Sequence, residues 1–171
     1  MSDDQHQEQF ERLVMPHLDA AYNLARWLAG SDHDAEDIAQ EACLRAFRFA
    51  GECRASDGRA WLLAIVRNTA YSWLKKNRSR PLVSLEDDEL GEIEDNSSRV
   101  TVFHSADKEV LRTAIEALPA EFREVLVLRE LEGLSYKEIA EVAGVPLGTV
   151  MSRLARARRQ LQDALQAEEK A

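Results

Sequence analysis

The stretch from Ser135 to Arg159, SYKEIAEVAGVPLGTVMSRLARARR, constrains the fold more than any other part of the chain. Glu138 follows Ser135 by three residues, which is the spacing of a helix capping box. Gly144 can take the left-handed conformation that ends a helix, and Pro146 can stand at the start of the next one. The stretch therefore predicts two helices joined by a tight turn.

Apolar residues repeat at helical spacing on both sides of this turn. The residues predicted to be buried are Ile139, Val142, Ala143, Val150, Leu154, Ala157 and Leu161. Ala140 is small enough for the two helices to cross closely. This layout is that of a helix-turn-helix, whose second helix enters the major groove of DNA.

The face beside the second buried stripe carries Thr149, Ser152, Arg153 and Arg156. This helix also has arginines at 158 and 159 and no acid before Asp163. Arginine offers a planar fork that fits guanine edges and phosphates. A solvated basic face on an ordinary helical hairpin is the alternative, but the coincidence of turn chemistry and basic face favours DNA binding.

The composition fits a globular protein of one medium domain or two small ones, since 45% of the 171 residues are hydrophobic and 31% are charged. No run of about 18 apolar residues occurs, so we expect no membrane insertion. The acidic start, MSDDQHQEQ, predicts no secretory signal. Cys43 and Cys53 do not form a disulfide framework and fit a reducing, cytoplasmic location.

Charge is segregated along the chain. The net charge of −9 argues by itself against a general nucleic-acid binder. Residues 86–95 hold seven acids and no base, whereas residues 67–80 hold five bases and no acid. Local patches therefore matter more than the total charge.

The chain is predicted to be all-α, because helical periodicity dominates and almost no stretch alternates with period two. We expect a small helical domain over 1–80, an acidic flexible linker over 81–104 and a second helical domain over 105–171. The predicted helices are 5–29 (interrupted at Pro16 and ended by Gly30), 34–49 (capped near Ser31), 59–77, 106–118, 119–131 (with Pro119 in the first turn), 136–143 and 147–166.

Two surfaces of the N-terminal domain are candidates for binding. On the helix over 34–49, Ile38, Ala42 and Phe49 are expected to face inward. Asp37, Gln40, Glu41, Leu44 and Arg45 share another face. That face suits docking to another helix, although the residues alone favour an ordinary solvated side.

The stretch 59–80 interleaves Trp61, Tyr71 and Trp73 with basic and hydrogen-bonding side chains. Single-stranded DNA is bound by this mixture of stacking faces and cations. Trp61 and Ile65 are expected in the core, while Tyr71 and Trp73 fit a core and a DNA-binding role equally well.

No enzyme chemistry is visible. The histidines at 6, 17, 33 and 104 are scattered, Cys43 and Cys53 form no CxxC pair, and no glycine-rich phosphate loop occurs. We therefore expect no catalytic residue, no metal and no cofactor.

The motifs DAEDIAQEACLRAF, WLLAIVRNTAYSWL and ALPAEFREVLVLRELEGLSYKEIAEVAGVPLGTVMSRLARAR, in this order, resemble bacterial RNA polymerase sigma factors of the extracytoplasmic-function group. The resemblance covers nearly the whole chain. It implies a region 2 domain and a region 4 domain that bind the β′ clamp helices and β flap of core polymerase. It also implies double-stranded promoter DNA at −35, single-stranded DNA at −10, and an anti-sigma factor, which is often membrane-bound.

The resemblance places roles on particular residues. The residues implied to bind core polymerase are Asp37, Gln40, Glu41, Leu44 and Arg45. Those implied to hold the −10 strand are Arg67, Asn68, Tyr71, Ser72, Lys75 and Lys76, with the loop 51–58 capturing a flipped base. Those implied to read the −35 element are Thr149, Met151, Ser152, Arg153, Ala155 and Arg156. Family members often have an acid or asparagine in place of Ser72 and a base in place of Met151, which leaves the promoter sequence open.

Two other functions remain as alternatives. A sigma-like decoy that binds an anti-sigma factor has no need of Arg153 and Arg156, and is usually fused to a receiver domain that this chain lacks. A plain helix-turn-helix repressor has no need of the face from Asp37 to Glu41. Promoter recognition as a polymerase subunit accounts for both sets of residues.

Overall fold

The structure is a computed structural model that describes residues 2–55, 57–77 and 108–170. Every regular element in these ranges is helical, and the chain divides into two compact units. The predicted all-α class with two helical domains is therefore confirmed. The acidic linker predicted over 81–104 lies outside the described residues.

Over the described residues 2–55 and 57–77, the first unit holds four α-helices and two short 3-10 segments. These are α1 (Asp3–Val14), a 3-10 turn (Met15–His17), α2 (Leu18–Ala29), α3 (Asp32–Phe49), a second 3-10 turn (Ala50–Glu52) and α4 (Gly58–Asn77). Pro16 lies in the first 3-10 turn, which confirms the predicted interruption. Gly30 ends α2 with a left-handed φ of 86°, and the Ser31 hydroxyl caps α3 by accepting from the Asp34 amide.

The core of the first unit is built mainly from leucine and alanine. Its fully buried residues include Leu13, Leu24, Leu28, Ile38, Ala42, Leu62, Leu63, Val66 and Ala70. The N-terminus of α4 packs directly on α1, because a Cβ at Gly58 would lie 2.1 Å from the Leu13 carbonyl oxygen. This contact fixes the point at which the loop after α3 leads into α4.

Several expected core positions were wrong. Phe49 is exposed because the buried stripe of α3 runs on through Ala46 to Ala50 and leaves Phe49 beside it. Leu18, which helical periodicity placed on the apolar stripe of the predicted helix 5–29, is also exposed, since the 3-10 turn before it has three residues per turn and shifts the phase of the stripe. Trp61 and Ile65 are half-buried instead of core.

The described residues 108–170, most of which form the second unit, contain four α-helices and a π-helical segment. These are α5 (Lys108–Glu116), α6 (Ala120–Leu126), the π segment (Val127–Leu131), α7 (Tyr136–Ala143) and α8 (Leu147–Glu169). Pro119 is the N-cap residue of α6 and directly precedes its first turn, so the expectation that it lies within that turn was wrong. The single helix predicted over 119–131 is α6 continued by the π segment.

The turn chemistry predicted for the second unit is confirmed. The Ser135 hydroxyl accepts from the Glu138 amide at 3.1 Å, and the Glu138 carboxylate accepts from the Ser135 amide at 2.9 Å. Gly144 has a left-handed φ of 67° between α7 and α8. All seven residues of the two predicted stripes, from Ile139 to Leu161, are buried. In the described ranges, no helix is both long and apolar enough to cross a membrane.

Candidate functional site

The predicted partner-binding face of α3 is largely exposed. Asp37, Gln40, Glu41 and Leu44 are all exposed, and Leu44 leaves 62% of its surface open to solvent. Arg45 donates from Nε to the Glu41 carboxylate at 3.2 Å. The structure thus brings an acidic and amide edge together with an exposed leucine, which is a composition suited to docking another helix.

An exposed aromatic group that the sequence interpretation missed follows this face. Phe47, one turn after Leu44, is exposed. Its ring contacts the Phe10 ring edge-on with the centroids 5.2 Å apart. Its backbone carbonyl oxygen is hydrogen-bonded to Nε2 of His6 on α1. The spacing of Leu44 and Phe47 in the sequence is the signal that could have found it.

The predicted strand-binding face of α4 is assembled along one side of that helix. Asn68, Lys75 and Lys76 are exposed, whereas Arg67 and Tyr71 are half-buried. The Arg67 guanidinium lies 4.2 Å above the Tyr71 ring and donates to the Asn68 side chain at 3.2 Å. Ser72 lies one position after Tyr71 and is exposed. Cations and an aromatic face are therefore adjacent, as binding of an unpaired strand requires.

The loop expected to capture a flipped base is anchored at its end. The Asp57 carboxylate accepts from the Arg59 amide at 3.0 Å and so caps the start of α4. The same carboxylate lies 3.1 Å from Nε2 of His17, in the 3-10 turn after α1. These contacts join the loop to the scaffold of the first unit, while Ser56 lies outside the described residues.

The predicted DNA-reading face of α8 is only partly accessible. Thr149, Met151, Ala155 and Arg156 are half-buried. Ser152 and Arg153 are only 7% and 9% exposed, and the Ser152 hydroxyl donates to the Gly148 carbonyl at 3.0 Å. DNA contact by Ser152 and Arg153 therefore needs a rearrangement of the structure described.

Arg158 does not extend that basic face. Its guanidinium donates to the Glu130 carboxylate at 2.8 Å, and both side chains are mostly buried. Arg156 and Arg159 are the arginines of α8 that are accessible for DNA contact without such a rearrangement. Among the described residues, no three or more His, Cys, Asp or Glu side chains are grouped so as to hold a metal ion.

Comparison with known families identifies both units. Residues 13–80 match the model for sigma-70 region 2, and residues 108–161 match the model for sigma-70 region 4. These matches together cover more than half of the chain. The chain belongs to the sigma-70 family of RNA polymerase sigma factors, in its extracytoplasmic-function group, the class of alternative sigma factors that initiate transcription.

Curated relatives carry the same description. The chain is 36% identical over 166 residues to the RNA polymerase sigma-H factor of Pseudomonas aeruginosa, which covers 92% of this chain and 86% of the relative. It is 34% identical to the ECF RNA polymerase sigma-E factor of Escherichia coli K12, covering 78% and 74%. It is also 36% identical to SigE of Mycolicibacterium smegmatis, covering 91% of this chain but 61% of that longer protein.

Two solved structures share the fold. The sigma factor RpoE from Bartonella quintana, solved with the anti-sigma factor NepR, superposes with a TM-score of 0.69 at 27% identity, covering 96% of this chain and 98% of that one. CnrH, solved with the cytosolic domain of CnrY, gives a TM-score of 0.66 at 26% identity, covering 94% and 90%.

Proposed function

We propose that the chain binds core RNA polymerase through residues 1–80 and 105–171, and that it directs the enzyme to promoters with −10 and −35 elements. The accessible α3 face of Asp37, Gln40, Glu41 and Leu44 carries this proposal. A DNA-binding protein that acts alone has no use for a mixed acidic and apolar face of this kind. The linker over 81–104 would join the two domains and raise the effective concentration of the second once the first is bound.

The α3 face is the proposed contact with the β′ clamp helices. Its carboxylates can meet basic side chains of a partner helix, and the exposed Leu44 can fill an apolar pocket at the centre of the contact. The β flap is the proposed partner of the second unit. The Arg45 guanidinium is engaged within the first unit, by Glu41 and Thr69.

The α4 face is the proposed holder of the separated −10 strand. The exposed Lys75 and Lys76 can approach phosphates, while Tyr71 and the Arg67 plane stacked on it can receive unpaired bases. The loop 51–58, capped by Asp57, is the proposed site for one flipped base. This arrangement favours melted DNA over duplex, because stacking on a side chain requires an unpaired base.

The α8 face is the proposed reader of the −35 element. Arg156 is half-buried in the third turn of α8, the helix that follows the turn at Gly144. In that position a guanidinium can make a bidentate contact with guanine in the major groove. Thr149, Met151 and Ala155 complete the proposed contact surface, and Ser152 and Arg153 would join it after the rearrangement that their burial requires.

An anti-sigma factor is the proposed regulator, since RpoE of Bartonella quintana was solved with one and CnrH was solved with the cytosolic domain of CnrY. The protein would act in the cytoplasm without a cofactor and without catalytic activity of its own. A membrane-bound anti-sigma factor would hold it at the inner membrane.

The test is transcription with purified components. The protein is mixed with core polymerase and fragmented genomic DNA, and the transcripts are sequenced. Discrete start sites sharing two upstream boxes would support the proposal. Binding to core without new starts would contradict the −10 role, and absence of core binding would favour a decoy or a repressor.

Variants of α3 test the clamp contact. Alanine at Asp37 and Gln40 should abolish promoter opening, because the face loses its carboxylate and amide. The matched control is Asp19→Ala, which removes an exposed acid from α2 and should leave transcription unchanged. Unchanged transcription with the α3 variants would refute the clamp assignment.

A further inference from the structure

We propose that Arg45 is a positioning residue that couples the polymerase-binding face of α3 to the DNA-binding face of α4. This inference rests on the proposed function and deepens it. The family resemblance implied a polymerase contact for Arg45. The geometry assigns the guanidinium instead to a bridge between Glu41 and Thr69.

Arg45 makes one contact toward each face. Its Nε donates to the Glu41 carboxylate at 3.2 Å, one turn earlier on α3. Its Nη1 donates to the hydroxyl oxygen of Thr69 on α4 at 3.4 Å. Glu41 belongs to the exposed polymerase face, so one guanidinium reaches from that face to the next helix.

Thr69 is shaped to receive this contact. It is only 2% exposed, and its hydroxyl donates its single hydrogen to the Ile65 carbonyl at 2.7 Å. The hydroxyl oxygen can therefore only accept further bonds, and Arg45 is a donor without acceptor capacity. The direction of the Arg45–Thr69 bond is thus fixed.

Thr69 lies within the DNA-binding segment of α4. Asn68 precedes it directly, and Tyr71 and Ser72 follow within one turn. A change in the position of Thr69 would change the rotation of this segment about the helix axis. Because α3 and α4 pack with small, fully buried residues such as Ala42 and Ala70, little free volume between the helices is left to accommodate such a change.

A polymerase group that binds Glu41 would compete with Arg45 for the same carboxylate. The hydrogen bonds of the Arg45 guanidinium to Glu41 and Thr69 would then change in relative strength. Because Asn68 directly precedes Thr69, the position of Asn68 would change as well. Binding to polymerase would in this way set the α4 face for the −10 strand. We therefore expect that loss of the bridge impairs promoter opening more than it impairs core binding.

The experiment measures core affinity and promoter opening separately in full-length variants. Arg45→Met keeps most of the apolar stem but removes the guanidinium, and Thr69→Val keeps the shape but removes the hydroxyl. Each should lower the open-complex yield, read by permanganate reactivity of −10 thymines, about three- to tenfold. Core affinity, read by fluorescence anisotropy, should change less than twofold, roughly the limit of additivity between uncoupled sites.

The double variant is the decisive measurement. If Arg45 acts through Thr69, Arg45→Met combined with Thr69→Val should open promoters no worse than either single variant. Thr69→Ser keeps the accepting hydroxyl and should retain opening. Arg48→Met removes an exposed arginine from the same helix and should match the wild type.

Three results would overturn the proposal. Equal loss of core binding and opening in Arg45→Met would make Arg45 a direct polymerase contact. Additive losses in the double variant would show that Thr69 is not its target. A loss of thermal stability large enough to explain the opening defect would leave a purely structural role. Failure of the wild type to bind core or open any promoter would instead refute the proposed function itself.

Discussion

Arg158 of α8 and Glu130 of the π segment form a short ion pair, with 2.8 Å between Nη2 and Oε1 and with exposures of 17% and 18%. Burial by itself lowers the pKa of the Arg158 guanidinium, but hydrogen bonds to Glu130 and Tyr136 outweigh it, so that the pKa is raised. The pair thus ties α8 to the π segment and to the start of α7. It holds the proposed recognition helix against its support.

Replacement of Arg158 by alanine should destabilise the second unit by about 2 kcal/mol, because Glu130 is left mostly buried without its partner. The measurement is hydrogen exchange of the full-length chain, since two units need not unfold together. Amides of α7 and α8 should lose protection while those of α2 and α3 keep it. Arg159→Ala, at an exposed neighbouring position, is the control. Equal effects of the two variants would contradict the role of the pair.

Two glycines, one in the turn between α7 and α8 and one in the first turn of α8, form a matched pair for substitution. Gly144 has a φ of 67°, whereas Gly148 lies within α8, and a methyl group added at either position would meet no atom within 4 Å. Gly144→Ala should cost about 1–2 kcal/mol, since an L residue is strained in the left-handed region. Gly148→Ala should instead stabilise by up to about 1 kcal/mol through helix propensity.

Urea unfolding monitored by hydrogen exchange in α8 distinguishes the two substitutions. Opposite signs are expected, because space around the new methyl group is open at both positions and only the backbone conformation differs. A loss of the same size at both positions would mean that the turn does not depend on its left-handed glycine.

The sequence predicted those parts of the fold that depend on local chemistry. The Ser135–Glu138 capping box, the break at Pro16 and the left-handed Gly144 each involve residues within a few positions of one another. Helix ends determined by such signals were placed within a few residues. Phe49 was predicted to be buried because its position fits the apolar periodicity of the helix. In the structure the buried stripe continues through Ala50 instead, and Phe49 is exposed.

The candidate sites were less predictable, because side chains of one type on one helix face different environments. Arg156 and Arg158 differ in their surroundings through Glu130, which lies 28 positions before Arg158. Likewise, the bridge between Arg45 and Thr69 spans 24 positions. No local pattern specifies such pairs, since they arise only when separate helices pack.

The Cys43 thiol gives a prediction about pH. Burial raises the pKa of this thiol above its ordinary value. In the folded state Cys43 should therefore react with iodoacetamide at about pH 8 more slowly than it does in urea, because the thiolate is the reactive form. Peptide mass spectrometry separates its alkylation from that of the buried Cys53.

The same shift sets the sign of a stability effect. A thiol whose pKa is higher in the folded state contributes stability below its unfolded pKa and loses that contribution as the pH rises through the folded value. Stability of the first unit should thus fall more steeply above about pH 9 in the wild type than in Cys43→Ser. Parallel pH profiles would show that the Cys43 environment does not disfavour the thiolate.

Arg156 tests the proposed reading of the −35 element. Replacement by alanine should weaken binding to promoters with an intact −35 box by about 1–3 kcal/mol, the value of one bidentate arginine–guanine contact, and transcription should fall accordingly. The measurement compares run-off transcription on an intact template and on one with a scrambled −35 box. On the scrambled template the variant and the wild type should be nearly equal, because the lost contact no longer discriminates.

The control for Arg156→Ala is Arg159→Ala, which removes the same charge from an exposed position later on α8. A phosphate contact at either position would lower transcription on both templates alike, since phosphate contacts carry no sequence information. Equal loss on the two templates for Arg156→Ala would therefore reassign Arg156 to backbone binding. Loss confined to the intact template would establish base reading by α8, and a screen of substituted −35 boxes would then identify the base pair that Arg156 contacts.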